Sequence, residues 1–457
     1  MISSPDFTRY FASLRAETET VWLTQAYVPP RLFGQMIEPR SILVMGEEGS
    51  GKSALELYLK NYAAQRAPKL LTVYWRPAIP DGIPPSGQAA ELFISQAMDS
   101  LSFAFLQLLV CEPSIYANAP AWAKDFMQWF VQVFLHGDHQ YHLSRLADGA
   151  STAGRETITH LLIEPPREVF SRDSLPSSIL SHLTSAIKAH GLEGVWVFLE
   201  GLDTLFRISP ETLEKFLVNF LSTLDLFEED TFSFKIIASS KLEQSLQKAR
   251  GVLTRRFSIY QLKWSEDELV RLTEKRITLA AQRDNLPLSR VCKDSEWMKW
   301  LEKFAGFSPR GWLELTRPIL SAYLEKRNPL TQSEWMDAYR HSPPPLRLDL
   351  EAGRVFIGWG EAPVTGIGYK LLRYLYENRH RPCTKSELYY RAHKGLSHEP
   401  RNNEDTGWED VAIWEGPLDT ALYRLRKEVE WDSRNGVAPI YIISERGKGQ
   451  IRLENAM

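Results

Sequence analysis

The feature that most constrains this chain is a glycine-rich octet at residues 46–53, which reads Gly-Glu-Glu-Gly-Ser-Gly-Lys-Ser. An apolar run, residues 41–45, stands directly before it, and residues 54–64 follow with helical spacing. Glycines let backbone amides close around phosphate oxygens, where a Cβ would intrude, and the dipole of the following helix adds positive potential. The strand–loop–helix context therefore predicts a site for nucleotide phosphates, a P-loop.

Each position of this loop has an expected task. The lysine should reach the β- and γ-phosphates, and the serine after it should ligate Mg²⁺. The alternative is a glycine-rich turn that happens to carry Lys-Ser, but the flanking strand and helix favour the nucleotide site. The expected binding residues are Gly46, Gly49, Ser50, Gly51, Lys52 and Ser53.

A second candidate element is the apolar run 195–199, which ends in Glu200-Gly201-Leu202-Asp203. In P-loop folds an acid at the tip of a buried parallel strand points at the Mg²⁺ site. The usual first acid is Asp, and here Glu200 stands in its place. We expect Glu200 to hold the Mg²⁺ shell through water and Asp203 to orient the attacking water. The substitution weakens the expectation of hydrolysis more than that of binding, and a solvated strand end is the alternative.

Three further features fit the same site. Strand 234–238 ends in Ser239, whose hydroxyl could sense the γ-phosphate. Arg255 and Arg256 precede the last predicted core strand, where an arginine could act on a neighbouring subunit's γ-phosphate. The alternative interpretation of Arg255 and Arg256 is a pair of basic side chains on the protein surface. Pro309 and Arg310 open a later helix, from which Arg310 could read the nucleotide with Pro309 near the base.

The order of elements predicts three domains. Strands alternate with helices up to about residue 264, which indicates an α/β core with a mainly parallel sheet. Residues 111–175 have no clear period and are interpreted as an insertion on that core. Residues 265–268, Ser-Glu-Asp-Glu, resemble a capped helix start and open an all-helical lid, 265–341. A proline-rich linker then introduces a third domain, 342–457.

Together these motifs resemble the AAA+/STAND group of P-loop ATPases. The match consists of the P-loop, the strand ending Glu-Gly-Leu-Asp, the Ser-ended strand, Arg-Arg-Phe, and a lid with Gly-x-x-Pro-Arg. Residues 15–17 and 27–30 are similar to bacterial relatives of origin-recognition ATPases. The resemblance covers residues 7–339 and implies ATP binding with Mg²⁺, nucleotide-dependent homo-oligomerisation and slow hydrolysis at a subunit interface. Glu200 and the insertion depart from the pattern.

The C-terminal domain resembles the winged-helix domain of OmpR/PhoB-type response regulators. Short alternating strands (346–350 and 354–357), a helix (365–378), a capped helix start (384–388) and an amphipathic helix (417–430) precede a β-hairpin with a glycine-rich tip, 441–453. The family places the helix that corresponds to 417–430 in the DNA major groove and the hairpin on phosphate or the minor groove. The resemblance implies contacts from Arg424, Arg426, Lys427, Arg446 and Lys448.

The charge of this domain leaves the partner open. Residues 344–457 carry 17 Lys and Arg and 17 Asp and Glu, a net charge of zero. Stand-alone DNA readers are usually basic, because phosphate neutralisation supplies much of their affinity. The acids of residues 404–415 would also repel phosphate beside the reading helix. A packing module that engages a protein is therefore as compatible with the sequence as DNA, although oligomerisation would add many weak DNA contacts together.

Bulk composition excludes several other classes. The net charge of −3 points to neither nucleic acid nor a membrane surface, and three separated cysteines suit a reducing cytoplasm. The apolar stretch 101–111 is too short to span a bilayer, so no membrane partner is expected. The cluster His136, His139 and His142 could suggest a metal, but it lacks partners at metal spacing and reads as a polar stretch.

These features lead to one hypothesis and two rivals. The leading hypothesis is an ATP-dependent, oligomerising molecular switch whose winged helix engages DNA or a partner protein, in bacterial defence or signalling. One rival is a transcription regulator in which nucleotide only gates DNA binding. The other is a scaffold that binds ATP and barely hydrolyses it.

Overall fold

The computed structural model describes most of the chain, and its descriptions cover residues 10–11, 13–67, 69–77, 86–166, 176–211, 213, 215, 217, 230–246, 257–281, 286–401, 405–406, 413–430, 439–445 and 447–457. The chain divides into two compact units. One is Thr20–Lys263, and the other combines Met1–Glu19 with Trp264–Met457. Each unit is described by itself.

The first unit is built on a parallel sheet, which confirms the predicted α/β class. Among the described residues five strands pair in the order β2-β3-β4-β1-β5, and every pairing is parallel. The central strands β1, β3 and β4 are almost wholly buried, because helices on both faces exclude water from their continuous apolar runs. The strands are β1 Ile42–Gly46, β2 Leu70–Trp75, β3 Gly194–Leu199, β4 Phe232–Ser239 and β5 Ser258–Gln261.

The helices of this unit share one hydrophobic cluster with the sheet. Phe105, Phe126 and Leu183 are each buried in it together with strand residues such as Val197. The segment 111–175, interpreted from the sequence as an insertion, contributes α5 to α8 to this common core. The helices are α1 Thr20–Ala26, α2 Phe33–Met36, α3 Lys52–Gln65, α4 Ser86–Cys111, α5 Ser114–Ala117, α6 Ala121–Phe134, α7 Gly137–Gly149, α8 Thr152–Ile163, α9 Pro176–Ala189, α10 Leu202–Ile208 and α11 Glu243–Leu246.

Helix α4 contains the apolar stretch 101–111 and begins 15 residues before it, at Ser86. Within it Ile94–Cys111 is, among the described residues, the one helical segment long and apolar enough to cross a membrane by length and composition. Leu101, Phe105 and Leu109 of this segment are buried in the core of the unit. Their burial explains the apolar composition of α4 by packing.

A buried lysine on β4 joins the sheet to the chain segment between α2 and β1. The Lys235 side chain, on β4, is 1% exposed and donates hydrogen bonds to the carbonyls of Met36, Glu38 and Arg40 at 2.8–3.0 Å. Its amine also lies 4.3 Å from the ring centroid of Trp196. Burial lowers the pKa of Lys235 from 10.5 to about 7. The side chain thus caps the carbonyls that follow α2.

The second unit begins with helices. Ser265 and Glu268 form the predicted cap, in which the Ser265 amide donates to the Glu268 carboxylate at 2.8 Å. The N-terminal segment is fixed to α12 by a buried ion pair between Glu19 and Arg276. The helices are α12 Glu266–Ala281, α13 Leu288–Val291, α14 Ser295–Ala305, α15 Pro309–Lys326 and α16 Gln332–His341.

A small α+β domain completes the second unit, as the sequence predicts. Its two antiparallel sheets have the strand orders β6-β7-β8 and β10-β11-β9. Helix α19 buries Leu418, Leu422, Leu425 and Val429 on one face. The elements are β6 Leu346–Asp349, β7 Arg354–Ile357, β8 Gly360–Ala362, α17 Gly366–Glu377, β9 Cys383–Thr384, α18 Lys385–Glu387 with a π-helical extension Leu388–His393, α19 Glu415–Val429, β10 Ile442–Glu445 and β11 Gln450–Leu453.

The turn between β7 and β8 packs closely on the helices of this unit. The Trp359 amide donates to the Phe304 carbonyl at 2.9 Å. A Cβ on Gly360 would overlap the carbonyl oxygen of Lys303 and lie 3.0 Å from its carbon. A Cβ on Gly311 would lie 2.9 Å from Trp359. Backbone and indole therefore approach α14 and α15 at distances that require glycine.

Candidate nucleotide site

The phosphate loop has the backbone that its glycines predict. Strand β1 ends at Gly46 and α3 begins at Lys52, so the loop joins a buried strand to a helix N-terminus. Gly49 and Gly51 have φ of 76° and 87°, in the left-handed region that L side chains rarely adopt. A Cβ on Gly46 would lie 2.5 Å from the hydroxyl of Ser50, which is itself buried. The sequence of small residues is therefore a geometric requirement of the loop.

The lysine of the loop folds back over it. The Lys52 amine donates to the carbonyls of Gly46 at 3.1 Å and Glu47 at 3.0 Å. A lysine cation at the phosphate loop suits the charge of a polyphosphate. Ser53, the next residue of α3, has an exposed side chain. Its hydroxyl oxygen belongs to the hard ligands that Mg²⁺ takes.

Ser239 lies beside the loop's first glycine. Strand β4 pairs between β1 and β3, and its last residue, Ser239, is in register with Gly46. The Ser239 hydroxyl accepts a weak hydrogen bond of 3.4 Å from the Lys241 amide. The strand order thus places Ser239, 193 residues from Gly46 in sequence, next to it where the carboxyl ends of the parallel strands meet.

Glu200 follows β3 at that edge, and its carboxylate is engaged by a lysine that the sequence analysis did not single out. Its amide donates to the Trp75 carbonyl at 2.8 Å. Its carboxylate lies 2.5 Å from the amine of Lys60 on α3, and Glu56 binds the same amine at 2.6 Å. The carboxylate oxygens suit Mg²⁺ by type, but in this structure they face Lys60.

The electrostatics keep Lys60 charged. Burial alone would lower its pKa, but the neighbouring Glu56 and Glu200 carboxylates outweigh burial and raise the pKa above its usual value. The amine also stands 4.9 Å from the centroid of the Tyr74 ring. Burial raises the pKa of the Tyr74 hydroxyl in turn. Lys60 is therefore an ammonium that pairs with two carboxylates and contacts the ring of Tyr74.

The residues after Glu200 turn sharply into α10. Gly201 has φ of 78° and serves as the N-cap of that helix. A Cβ on Gly201 would lie 3.2 Å from the Nε of Arg76, which follows β2. Asp203 is the second residue of α10, and its side chain is outside the described part of the structure. Arg76 is thus a second cation at this edge without a local sequence signal.

Two predicted arginines of this site cannot be placed. Arg255 and Arg256 lie outside the described residues, which resume at the buried Phe257. Their expected action on a neighbouring subunit remains a proposal.

The Pro-Arg motif opens α15 in the second unit. The Ser308 hydroxyl caps the helix by accepting from the Gly311 amide at 3.1 Å, and Pro309 is buried in the first turn. The guanidinium of Arg310 lies 5.8 Å from the ring centroid of Trp359, whose indole nitrogen donates to Glu314 at 2.6 Å. The predicted nucleotide reader therefore rests on an indole of the α+β domain in this structure.

The predicted contact helix of the α+β domain, α19, presents some of its basic residues and uses another internally. Arg424 and Lys427 are exposed on the face opposite the buried leucines, beside Tyr423. Arg426 instead donates to the Ile442 carbonyl at 3.0 Å and to the Ser444 hydroxyl at 2.6 Å. Arg426 thereby ties α19 to β10, and its guanidinium is half-buried.

The hairpin tip is a glycine turn. Gly447 and Gly449 have φ of 79° and 59°. Between them Lys448 is exposed and pairs with Glu445 at 3.2 Å. Arg446 is outside the described residues. The tip therefore carries a surface lysine whose charge is partly compensated.

The histidine cluster is described only in part. His136 is exposed, and the side chains of His139 and His142 are outside the described part of the structure. Among the described residues no group of three His, Cys, Asp or Glu side chains is arranged to hold a metal.

Comparisons with known proteins give remote structural similarity. No family model matches the chain, and no curated protein matches it. The chain is similar to the ORC2 protein of Aeropyrum pernix in ADPNP–ADP complexes, with 12% identity, a TM-score of 0.32, and coverage of 97% of this chain and 90% of that one.

Two other solved structures are similar to the same degree. The ORC1 protein of Aeropyrum pernix in complex with DNA has 13% identity, a TM-score of 0.33, and coverage of 95% and 93%. A Walker-type ATPase of Pyrococcus abyssi has 14% identity, a TM-score of 0.32, and coverage of 97% and 95%. The fold assignment rests on the strand order and phosphate loop of this chain itself.

Proposed function

We propose that this chain is an ATP-dependent molecular switch of the AAA+/STAND type, which oligomerises on ATP binding and engages DNA or a partner protein through its C-terminal domain. The phosphate loop carries the proposal. Its support comes from the two left-handed glycines, the Lys52 amine bonded to the loop carbonyls and the N-terminus of α3, features that a polyphosphate site needs.

Within this proposal the residues have distinct tasks. Gly46, Gly49, Ser50 and Gly51 shape the loop around the phosphates, and Lys52 neutralises them. Ser53 and, through water, Glu200 hold Mg²⁺, and Ser239 senses the γ-phosphate from the neighbouring strand. Asp203 orients the attacking water, Arg255 or Arg256 completes the site of an adjacent subunit, and Arg310 and Pro309 read the nucleotide from the lid.

A second function, an ATP-binding scaffold with little turnover, is favoured by one observation. The Glu200 carboxylate is held by Lys60, and the next residue is Gly201, which offers no side chain for catalysis. The two functions differ in whether ATP is hydrolysed, and both need ATP binding at Lys52.

Light scattering with saturating ATP, ADP or a non-hydrolysable ATP analogue tests the switch. We expect a larger mass with ATP and the analogue than with ADP, and no ATP-dependent increase for Lys52→Ala. A mass that is the same in all nucleotides would contradict nucleotide-dependent assembly. ATP turnover measured on the same samples, with Glu200→Gln for comparison, separates the switch from the scaffold.

The output is tested on the full chain. The exposed face of α19 carries Arg424 and Lys427, so we expect duplex DNA binding to weaken in the double alanine variant and to fall steeply with salt. Arg373→Ala is the matched control, because that arginine is exposed on α17 and pairs with Glu377. DNA binding that is unchanged by the double substitution, or absent in every nucleotide state, would leave a protein as the partner.

A further inference from the structure

The contact between Lys60 and Glu200 suggests a control on magnesium binding. Glu200 is the carboxylate that the proposed function assigns to the Mg²⁺ shell, yet its oxygen lies 2.5 Å from the Lys60 amine. Lys60 follows Ser53 by seven residues on the same helix, which corresponds to about 10 Å along the axis. The ion pair therefore occupies the carboxylate that would share a metal with the Ser53 hydroxyl.

The surroundings allow Glu200 to leave this contact at low cost. Lys60 binds Glu56 at 2.6 Å as well, in an i,i+4 arrangement on α3. When Glu200 departs, the ammonium keeps a carboxylate partner and the Tyr74 ring beside it. Glu200 gains a divalent cation in exchange. Both positions of the carboxylate are thus electrostatically compensated, as a two-position element requires.

We propose that Lys60 is a positioning residue that competes with Mg²⁺ for the Glu200 carboxylate, so that this carboxylate stays paired with Lys60 until Mg²⁺ arrives with the nucleotide. The proposal rests on the proposed function. Ion pairs at partly exposed sites are modest in strength, so the competition raises the Mg²⁺ concentration that binding needs without preventing Mg²⁺ from binding.

The test measures binding rather than turnover. A fluorescent ATP analogue is titrated onto the full chain at a series of Mg²⁺ concentrations, and the Mg²⁺ concentration for half-maximal binding is determined. For Lys60→Met we expect that concentration to fall about 2- to 5-fold, because the competitor is gone. Lys60→Arg, which keeps the cation, is expected to resemble the wild type. An unchanged or higher Mg²⁺ requirement in Lys60→Met would overturn the proposal.

A second variant separates this competition from general charge repulsion between Lys60 and Mg²⁺. In a Glu200→Gln background the carboxylate is absent, so Lys60→Met should have no further effect on the Mg²⁺ requirement. A shift of the same size in both backgrounds would mean that Lys60 acts without Glu200, which also overturns the proposal. Lys69→Met, a change at an exposed lysine that pairs with Glu193, is the matched control.

The result also separates this proposal from the proposed function. Binding that depends on Lys52 but whose Mg²⁺ requirement ignores Lys60 refutes the competition alone. Binding that does not depend on Lys52, or no binding at all, refutes the proposed nucleotide site and the competition with it. Circular dichroism of each variant confirms that the fold is retained before the titrations are compared.

Discussion

Replacement of Lys235 by Met should change how the stability of the chain depends on pH. The lysine is 1% exposed on β4, and burial lowers its pKa from 10.5 to about 7. Between these two values the unfolded chain binds a proton that the folded chain has lost. The free energy of unfolding therefore rises with pH across this window, and the contribution is lost as the pH falls toward 7.

The size of the effect follows from the two pKa values. At about 1.4 kcal/mol per pKa unit, the contribution of Lys235 grows by about 2.3 kcal/mol between about pH 7 and about pH 9. Met fills a similar volume and does not titrate, so the variant lacks this slope. Met also lacks the N–H donors to the carbonyls of Met36, Glu38 and Arg40, so the variant is less stable than the wild type for this reason as well.

Urea unfolding followed by circular dichroism at both pH values provides the assay. The wild-type stability minus that of Lys235→Met should increase with pH, and Lys69→Met serves as an exposed control. A difference that is flat or falls with pH would contradict a lowered pKa of Lys235. Lys235 would then stay charged across this pH range. Its three carbonyl acceptors, which match the three N–H bonds of an ammonium, and the Trp196 ring would stabilise that charge.

Three further substitutions test the packing of the second unit by urea unfolding. Gly360→Ala should lower the free energy of unfolding by about 1–3 kcal/mol, because the added Cβ overlaps the Lys303 carbonyl. An unchanged stability would contradict the close packing of Gly360 on that carbonyl. Arg276→Met should cost about 3–5 kcal/mol by leaving buried Glu19 without its cation, and adding Glu19→Leu should restore much of the loss. Arg426→Ala should lower the free energy of unfolding by about 1–3 kcal/mol, because the hydrogen bonds that join α19 to β10 are lost. Removing a fully exposed arginine would change it very little.

The phosphate loop was predictable because its information is local. Eight consecutive residues specify the glycine conformations, the lysine and the helix start, and the structure reproduces them. The α/β class, the helix near 417–430 and the terminal hairpin were predictable from periodicity, since each buries one face or both. These elements can be predicted without knowing which other elements pack against them.

The cations around Glu200 were not predictable for the opposite reason. Lys60 stands in an ordinary helical segment, and Arg76 simply follows a strand. Both become significant when β2 and β3 pair and α3 packs beside them. Lys235 is similar, because its strand reads as apolar apart from the lysine. Tertiary structure supplies partners that no sequence window contains.

The segment 111–175 and Arg426 show where sequence reasoning fell short. Helix α6 does have helical periodicity, because Lys124, Gln128 and Gln132 share one face and Phe126, Phe130 and Phe134 lie on the opposite, buried face. The neighbouring aromatics, histidines and prolines of the segment obscured that pattern. Arg426 follows buried Leu425 and lies one turn after buried Leu422, at the flank of the apolar face of α19. That position lets it reach the β10 carbonyl, which a motif comparison does not reveal.

Calorimetric titration of ATP with Mg²⁺ onto the full chain shows whether the loop of residues 46–53 binds nucleotide. We expect saturable binding by the wild type, affinity about 10- to 100-fold lower for Lys52→Ala because charge-assisted phosphate contacts are lost, and unchanged affinity for Lys69→Ala. Equal affinities of the wild type and Lys52→Ala, or no binding by either, would contradict a nucleotide site at the loop of residues 46–53.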